Sequence, residues 1–143
     1  MAEFTFKVFC CDRKFYDGPC EKLIFPGFRG DIEVLAHHET MTAAVQNGTM
    51  RYQLPGDEQW RTAAVSHGFV EVKDNVVTMI VYSCERPEEI DVYRAQEALE
   101  RARERMVNKQ SIVEYHMNRA AMARAMARLK TAGKYPARYK GKL

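Results

Sequence analysis

The first 85 residues alternate between hydrophobic and polar positions in short segments separated by turns. Phe4, Phe6 and Val8 follow the two-residue period of a strand with one buried face. Further strand-sized segments read CEKLIFPG, which runs into a turn at Pro26–Gly27, then DIEVLA, MTAAV, TMRYQL, WRTAAV, GFVEV and VVTMIVY. Turn sequences such as QNG, SHG and KDN separate the later ones. Residues 1–86 are therefore predicted to form an antiparallel β-sandwich or barrel, because short connections join antiparallel neighbours.

From residue 87 to residue 132 the period changes to that of a helix. Pro87 fits the first turn of a helix, and Glu88 and Glu89 are favourable near its positive end. Two apolar stripes follow at helical spacing, one formed by Ala95, Ala98, Leu99, Ala102 and Met106 and the other by Ala121, Met122, Ala125, Met126 and Leu129. The segment VNKQS interrupts them. The pattern predicts two antiparallel helices joined by a short turn, which makes the fold class β plus α.

The ends of the second helix are marked by its flanking residues. Ser111 is a good N-cap with Glu114 three residues later, the spacing of a capping box, and Gly133 is placed to end the helix. Because the two stripes consist mostly of alanine, the helices can approach closely but bury little apolar area. The hairpin should therefore be only marginally stable alone and able to detach from the β domain.

Composition narrows the class of protein. The chain has 143 residues, of which 46% are hydrophobic and 29% charged, as in an ordinary globular protein of one domain or two small units. No apolar run approaches the roughly 20 residues of a membrane span, and the N-terminus does not resemble an export signal, so a cytosolic location is expected. The basic tail, residues 133–143, lacks acidic side chains. It fits either a solvated terminus or a contact with an anionic partner.

Candidate catalytic and metal-binding residues are few. Neither the four cysteines nor the neighbouring His37, His38 and Glu39 have the spacing of a structural zinc site, and adjacent histidines on an extended segment point apart. The sequence contains no P-loop or dinucleotide-binding fingerprint. The chain is therefore not expected to be an enzyme or to bind a metal.

Charged residues on the two predicted helices fall at spacings that share a side. Asp91, Arg94 and Arg101 lie along one flank of the first helix, and Arg124 and Arg128 are i,i+4 neighbours on the second. With the turn near residues 109–110, antiparallel pairing brings Asp91 level with Arg128 and Arg94 level with Arg124. These charges are either solvated surface residues or an anion site, since arginine suits phosphate oxygens. Spacing alone leaves both open.

The order of these features is similar to that of a known family. The segments FYDGPCEKL, GDIEVLAHH, AAVQNGTMRY, SHGFVEV and VVTMIVYSCERPEEID, followed by two helices, resemble the epsilon subunit of bacterial F-type ATP synthase from about Phe4 to Lys130. The resemblance implies a non-catalytic subunit on the cytoplasmic face of the plasma membrane. Its sandwich would dock on the gamma subunit and the c-ring. Its hairpin would move between a compact form and an extended form that reaches the alpha and beta subunits and inhibits ATP hydrolysis.

The resemblance also implies a regulatory ligand, ATP, and no obligatory cofactor. Some bacterial members bind ATP in the compact hairpin through a motif I/L-D-x-x-R-A, which here is residues 90–95. Family contacts with ATP correspond to Glu85, Asp91, Arg94, Arg101, Arg124 and Arg128. Contacts with the c-ring correspond to Asp31 and His38.

The sequence departs from the family pattern near the c-ring positions. Glu33 stands where glycine is common, Ala36-His37 replaces Pro-Gly, and His67 interrupts a Ser-Gly-Gly turn. An alternative function is a free-standing nucleotide- or nucleic-acid-binding module that uses the hairpin and the tail. A third is a small metal enzyme that uses His37, His38 and Glu39.

Overall fold

The protein folds into a β-sandwich followed by a helical hairpin, which confirms the predicted fold class. The structure is a computed structural model that describes residues 2–108 and 110–133. The prediction for the basic tail after Gly133 lies outside the described residues. The described strands are β1 Phe4–Phe9, β2 Lys14–Cys20, β3 Lys22–Gly27, β4 Gly30–Leu35, β5 Met41–Val45, β6 Gly48–Gln53, β7 Arg61–Val65, β8 Gly68–Lys73, β9 Val76–Val81 and β10 Cys84–Glu85.

The strands form two five-stranded sheets that enclose one core. Their orders are β2-β1-β9-β8-β5 and β10-β7-β6-β3-β4. All neighbours are antiparallel except β1 and β9, which run parallel with Phe6 opposite Val77. The predicted antiparallel sandwich is thus confirmed, with this one pair as the exception among the described strands. The hairpin argument applies only to strands joined by short turns, and β1 and β9 are far apart in sequence.

Two strands were absent from the predicted pattern. β2 contains Asp17, Gly18 and Pro19, which normally indicate a turn. It lies at the edge of its sheet, where proline is tolerated because one side of the strand needs no ladder hydrogen bonds. β10 has only two residues. The predicted turn at Pro26–Gly27 was also wrong, since β3 continues through Gly27, which pairs with Gly30.

The core lies between the sheets and follows the predicted alternation. Phe4, Phe6 and Val8 are all buried, together with Phe25 and Met79 from both sheets. The KDN connection is a two-residue hairpin turn, because Asp74 and Asn75 have φ values of 51° and 62°. Two successive positive φ values characterise the type I′ turn, whose twist matches that of the flanking strands.

The helical part begins later than predicted. Pro87 opens a 3₁₀ helix, Pro87–Glu89, instead of the first α-helix. Ile90 is extended (φ −77°, ψ 125°) and separates that turn from α1, Val92–Met106, whose N-cap is Asp91. The second helix, α2, is Ile112–Thr131, and the amide of Glu114 donates to Ser111 Oγ at 3.2 Å, as expected of the predicted cap. Gly133 follows with φ 73°, the left-handed conformation typical of a helix end.

Helix α2 lies between α1 and the sandwich. Ala95 and Leu99 of α1 pack with Ala125, Met126 and Leu129 of α2, much as the stripes predicted. The other side of α2 lies on β6 and β7, where Ala127 is 8% exposed. Because α2 has two buried sides, the single predicted stripe did not include Ala127. The first turns of α2 are exposed and include Ile112 and Val113.

We expect Gly68→Ala to unfold the sandwich more readily, because a β-carbon at Gly68 would lie 2.1 Å from the carbonyl oxygen of Ile80. The obstacle is backbone of the neighbouring strand, so the destabilisation should be about 3 kcal/mol, the upper range for overpacking. Chemical denaturation measures it. Gly18→Ala is the control, since its β-carbon would meet only the side chain of Tyr16. Equal stability of the two variants would contradict the packing described here.

Candidate functional site

An ion pair joins α2 to the edge of the sandwich. Glu85 ends β10, the edge strand, and its Oε1 accepts a hydrogen bond from Nε of Arg128 at 2.7 Å. The side chains are 25% and 39% exposed, so the pair is partly shielded from water. A hydrogen bond between two charged groups is stronger than one between neutral groups. The pair therefore connects two candidate site residues across the joint between the two parts of the molecule.

Arg124 lies one turn before Arg128 and lines the same cleft. Ser66 and Ser83 also line this cleft, and their hydroxyl oxygens lie 2.6 Å apart. The cleft measures about 10 Å³, which is room for roughly one water molecule. The structure thus brings Glu85, Arg124 and Arg128 together in a closed arrangement. A nucleotide needs far more space, since small-molecule pockets are about 300–1,000 Å³.

The candidate residues of α1 have different surroundings. Oδ1 of Asp91 accepts a hydrogen bond from the amide of Arg94 at 3.1 Å, so Asp91 caps its own helix. The side chains of Arg94 and Arg101 are exposed. Among the described residues, the lining of the closed cleft does not include these three.

A second polar contact fixes the end of α2. Oγ1 of Thr131, in the last turn of the helix, lies 2.8 Å from Oγ1 of Thr49 in β6. The helix is therefore attached to the sandwich at Arg128 and again at Thr131. Neither contact was predicted, because each joins residues far apart in sequence.

The linker before α1, which contains Arg86 and the 3₁₀ turn Pro87–Glu89, is held by a network of side-chain contacts that the sequence did not predict. Arg13, between β1 and β2, donates to Glu89 (Nη1 to Oε1, 3.0 Å) and to the carbonyl oxygen of Cys84 (2.9 Å). Arg86 also donates to Glu89 at 3.1 Å, and its guanidinium stands 4.2 Å from the ring centroid of Phe15. Arg13 and Glu89 are 76 residues apart, so no local pattern could have indicated the pair.

The two predicted c-ring residues lie at opposite ends of β4. Asp31 lines a cleft of about 450 Å³ between the sandwich and α2, beside Lys130. His38 follows the far end of the strand, with Nδ1 2.8 Å from the carbonyl oxygen of Glu39. The structure therefore does not bring the two together.

The segment that holds His37 and His38 is a turn, so the expectation that it is extended was wrong. His37 has φ 61°, in the left-handed region, and its amide donates a hydrogen bond to Oδ1 of Asn75 at 2.7 Å. Glycine adopts this left-handed conformation without strain, which fits the glycine that the family resemblance leads one to expect at this position. Residues 2–108 and 110–133 contain no group of three or more side chains able to hold a metal ion.

Comparison with known proteins identifies the family. Residues 3–87 match the family described as ATP synthase, Delta/Epsilon chain, beta-sandwich domain, and residues 88–133 match its long alpha-helix domain. The ATP synthase epsilon chain of Ruminiclostridium cellulolyticum is 41% identical over 129 residues, which cover 90% of this chain and 95% of that relative. The chain belongs to the epsilon-chain family of bacterial F-type ATP synthase. The epsilon chain of Caldanaerobacter subterraneus subsp. tengcongensis is 43% identical over 133 residues, covering 92% and 95% of the two chains.

Solved structures share this fold at lower sequence identity. A chain of the Euglena gracilis mitochondrial ATP synthase, in a structure of OSCP, F1 and c-ring, has a TM-score of 0.78 at 22% identity, with 92% of this chain and 82% of that chain covered. One from the Tetrahymena thermophila central stalk and c-ring has a TM-score of 0.68 at 8% identity, covering 90% and 95%. These likenesses concern the fold alone. None of the described helices is long and apolar enough to cross a bilayer.

The linker network makes the stability of this protein depend on pH. Hydrogen bonds from Arg13 lower the pKa of Glu89 from its ordinary value of 4.5 to about 2. Because the folded-state pKa is the lower one, the stabilisation is present above about pH 4.5 and is lost as the pH falls toward 2. We expect Glu89→Gln to cost about 1 kcal/mol or less at pH 7, since the side chain is partly exposed. The cost should vanish near pH 2, as unfolding midpoints across that range would show.

Glu88→Gln is the matched control for this experiment, since Glu88 is the exposed neighbour in the same 3₁₀ turn. A Glu89 variant whose stability stays parallel to the wild type at every pH would show that the network contributes nothing.

Proposed function

We propose that this chain is a non-catalytic regulatory subunit of the central stalk, in which the hairpin restrains ATP hydrolysis when it leaves the sandwich. The observation that carries the proposal is the way in which α2 is attached. Its seam with β6 and β7 includes Ala127, and its described polar contacts with the sandwich are those of Arg128 and Thr131. Each buried alanine methyl contributes only on the order of 0.8 kcal/mol. Such a seam supports a hairpin that docks and detaches.

The linker network defines where the movement starts. Glu89 and Arg86 are tied to Arg13 and Phe15 of the sandwich, so the chain is held as far as the 3₁₀ turn. Ile90 is extended and Asp91 already belongs to the helix cap. We therefore assign the pivot to Ile90–Asp91, with the 3₁₀ turn remaining on the sandwich.

ATP is the proposed ligand of the compact form. Arg124 and Arg128 offer two guanidinium groups for phosphate oxygens at a joint that also contains Glu85. Since the cleft is closed, ATP would have to replace Glu85 as the partner of Arg128 and widen the joint. Asp91, Arg94 and Arg101 would then contribute from α1. A ligand that binds only the compact hairpin stabilises it by RT ln(1 + [ATP]/Kd).

The double variant Arg124→Glu with Arg128→Glu should lose any ATP-dependent rise in unfolding midpoint, because the phosphate would meet two carboxylates. Differential scanning fluorimetry with and without ATP and magnesium measures the shift. Arg119→Glu is the matched control, as an exposed arginine on the same helix about 180° around from Arg128. A full shift in the double variant would place the nucleotide elsewhere.

The alternative of a free-standing nucleic-acid-binding module makes a different prediction. Binding of RNA or DNA would weaken steeply with salt, because it depends on counterion release. Salt-dependent binding of an oligonucleotide without any ATP effect would favour that alternative.

The partner surface for the gamma subunit is proposed on the outer face of the first sheet. Phe9 and Phe69 both lie opposite Ile80 in the register, so the three side chains share one face. Phe9, Phe69 and Ile80 are 37%, 48% and 43% exposed, respectively. Tyr82, two residues after Ile80, is 64% exposed. An apolar patch of this kind on a small domain is typical of a protein interface. The c-ring would contact Asp31 and His38, and the extended hairpin would contact the alpha and beta subunits, at the cytoplasmic face of the bacterial plasma membrane.

Phe69→Ser combined with Ile80→Ser should weaken binding to the gamma subunit at least tenfold, because it removes the centre of the apolar face. Co-purification and surface plasmon resonance measure the affinity. Phe28→Ser is the control, since Phe28 is 78% exposed at the β3–β4 turn on the other sheet. If the Phe28 variant loses binding and the double variant keeps it, the interface lies on the other sheet.

A further inference from the structure

Two cysteines meet at the corner where the chain passes from one sheet to the other. Cys10 follows the end of β1, and Cys84 begins β10 in the opposite sheet. The chain crosses between the sheets at residues 82–83, and the amide of Cys11 donates to the carbonyl oxygen of Tyr82 at 3.4 Å. Cys10 packs against the core cluster that contains Cys84.

Arg13 fixes the two cysteines relative to each other. The amide of Cys10 donates to the carbonyl oxygen of Arg13 at 2.8 Å, and Nη2 of Arg13 donates to the carbonyl oxygen of Cys84 at 2.9 Å. One arginine thus bonds to the backbone of both residues. The turn that carries Cys10 is thereby held against the strand that carries Cys84.

The two thiols influence each other's ionisation. A hydrogen bond from Cys84 lowers the pKa of Cys10, and the nearby charge of Arg13 acts in the same direction. The interaction with Cys10 also raises the pKa of Cys84, which burial raises further. Cys10 is therefore the more acidic thiol of the pair, and the thiolate it forms on losing its proton is the nucleophile in disulfide chemistry. By contrast, burial raises the pKa of Cys20 to about 11, and its thiol donates to the carbonyl oxygens of Lys22 and Gln53.

We propose that Cys10 and Cys84 form a reversible disulfide that ties β10, the strand that leads into the linker, to the end of β1. The oxidant is a small-molecule disulfide such as oxidised glutathione. Cys10 is half-buried and accessible, whereas Cys84 is 3% exposed, so Cys10 reacts first.

The reaction proceeds in two exchanges. The Cys10 thiolate attacks one sulfur of oxidised glutathione, and the other glutathione leaves as a thiolate. The negative charge that held the proton on Cys84 is then gone, while Arg13 and Arg86 remain to favour its thiolate. Cys84 loses its proton to water and attacks the Cys10 sulfur, which releases the second glutathione. Two protein thiols are oxidised, and one glutathione disulfide is reduced to two thiols.

The consequence concerns the same linker that precedes α1. The next residue after Cys84 is Glu85, which pairs with Arg128. The carbonyl oxygen of Cys84 accepts a hydrogen bond from Arg13, and Arg13 also donates to Glu89. A disulfide at Cys84 would attach the strand that leads into the linker covalently to the end of β1, in addition to the hydrogen bonds that hold it there. The proposed disulfide does not depend on whether the hairpin binds ATP.

The test uses the reduced full-length chain and oxidised glutathione, followed by blocking of free thiols, intact mass measurement and peptide mapping. We expect the wild type to lose two hydrogens and to yield a Cys10–Cys84 peptide that dithiothreitol separates. Cys11→Ser should behave identically, because Cys11 is not part of the pair. Cys84→Ser should stop at a glutathione adduct on Cys10.

Two results would overturn the proposal. One is a wild type that retains glutathione on Cys10 while Cys84 still accepts the blocking reagent after denaturation. The other is a bridge between the neighbours Cys10 and Cys11, which would show that the corner does not present Cys84 to Cys10. Either outcome is read from the folded wild type, so it does not depend on the stability of a variant.

Discussion

The joint between α2 and strands β6 and β7, where the small side chain of Ala127 is buried and Thr131 contacts Thr49, holds the hairpin on the sandwich, and the other features of the hairpin depend on it. Small residues permit close approach, but they remove little apolar area from water, so directional contacts become a large share of the attachment. Arg128 and Thr131 provide such contacts at the C-terminal end of the helix. The first turns of α2, far from them, carry exposed hydrophobic side chains such as Ile112 and Val113. The attachment is therefore concentrated at one end of the hairpin.

The sandwich supplies the fixed part of this arrangement. Its two sheets share a core of alternating side chains, and its corner holds the linker through Arg13, Arg86 and Glu89. A well-packed anchor and a lightly held helix are complementary, because the proposed detachment would change the position of the hairpin without disturbing the sandwich. Membership of the epsilon-chain family, shown by both domain matches, is consistent with this division.

Sequence reasoning recovered what depends on local pattern and missed what depends on distant partners. Alternation located eight strands and helical spacing located both helices, because burial imposes a period on each element. It missed β2, where edge position overrides the turn signal of Asp17-Gly18-Pro19, and it placed α1 too early, because a 3₁₀ turn begins with the same proline signal. Of the candidate site, the juxtaposition of Arg124 and Arg128 followed from i,i+4 spacing. The pairing of Arg13 with Glu89 had no signal in sequence.

The cap of α1 has an energetic consequence for any ligand. The carboxylate of Asp91 already accepts a hydrogen bond from the amide of Arg94, and that bond involves only the helix and its N-cap, so α1 would keep its first turn in either proposed position of the hairpin. A ligand that takes this carboxylate competes with the helix for it. Loss of a cap costs about 1 kcal/mol, which corresponds to a roughly fivefold weaker affinity. Chains that share the motif would thus differ in affinity for the ligand. Affinity would be higher where a second residue caps the helix, or where another side chain binds the ligand and leaves Asp91 to the helix.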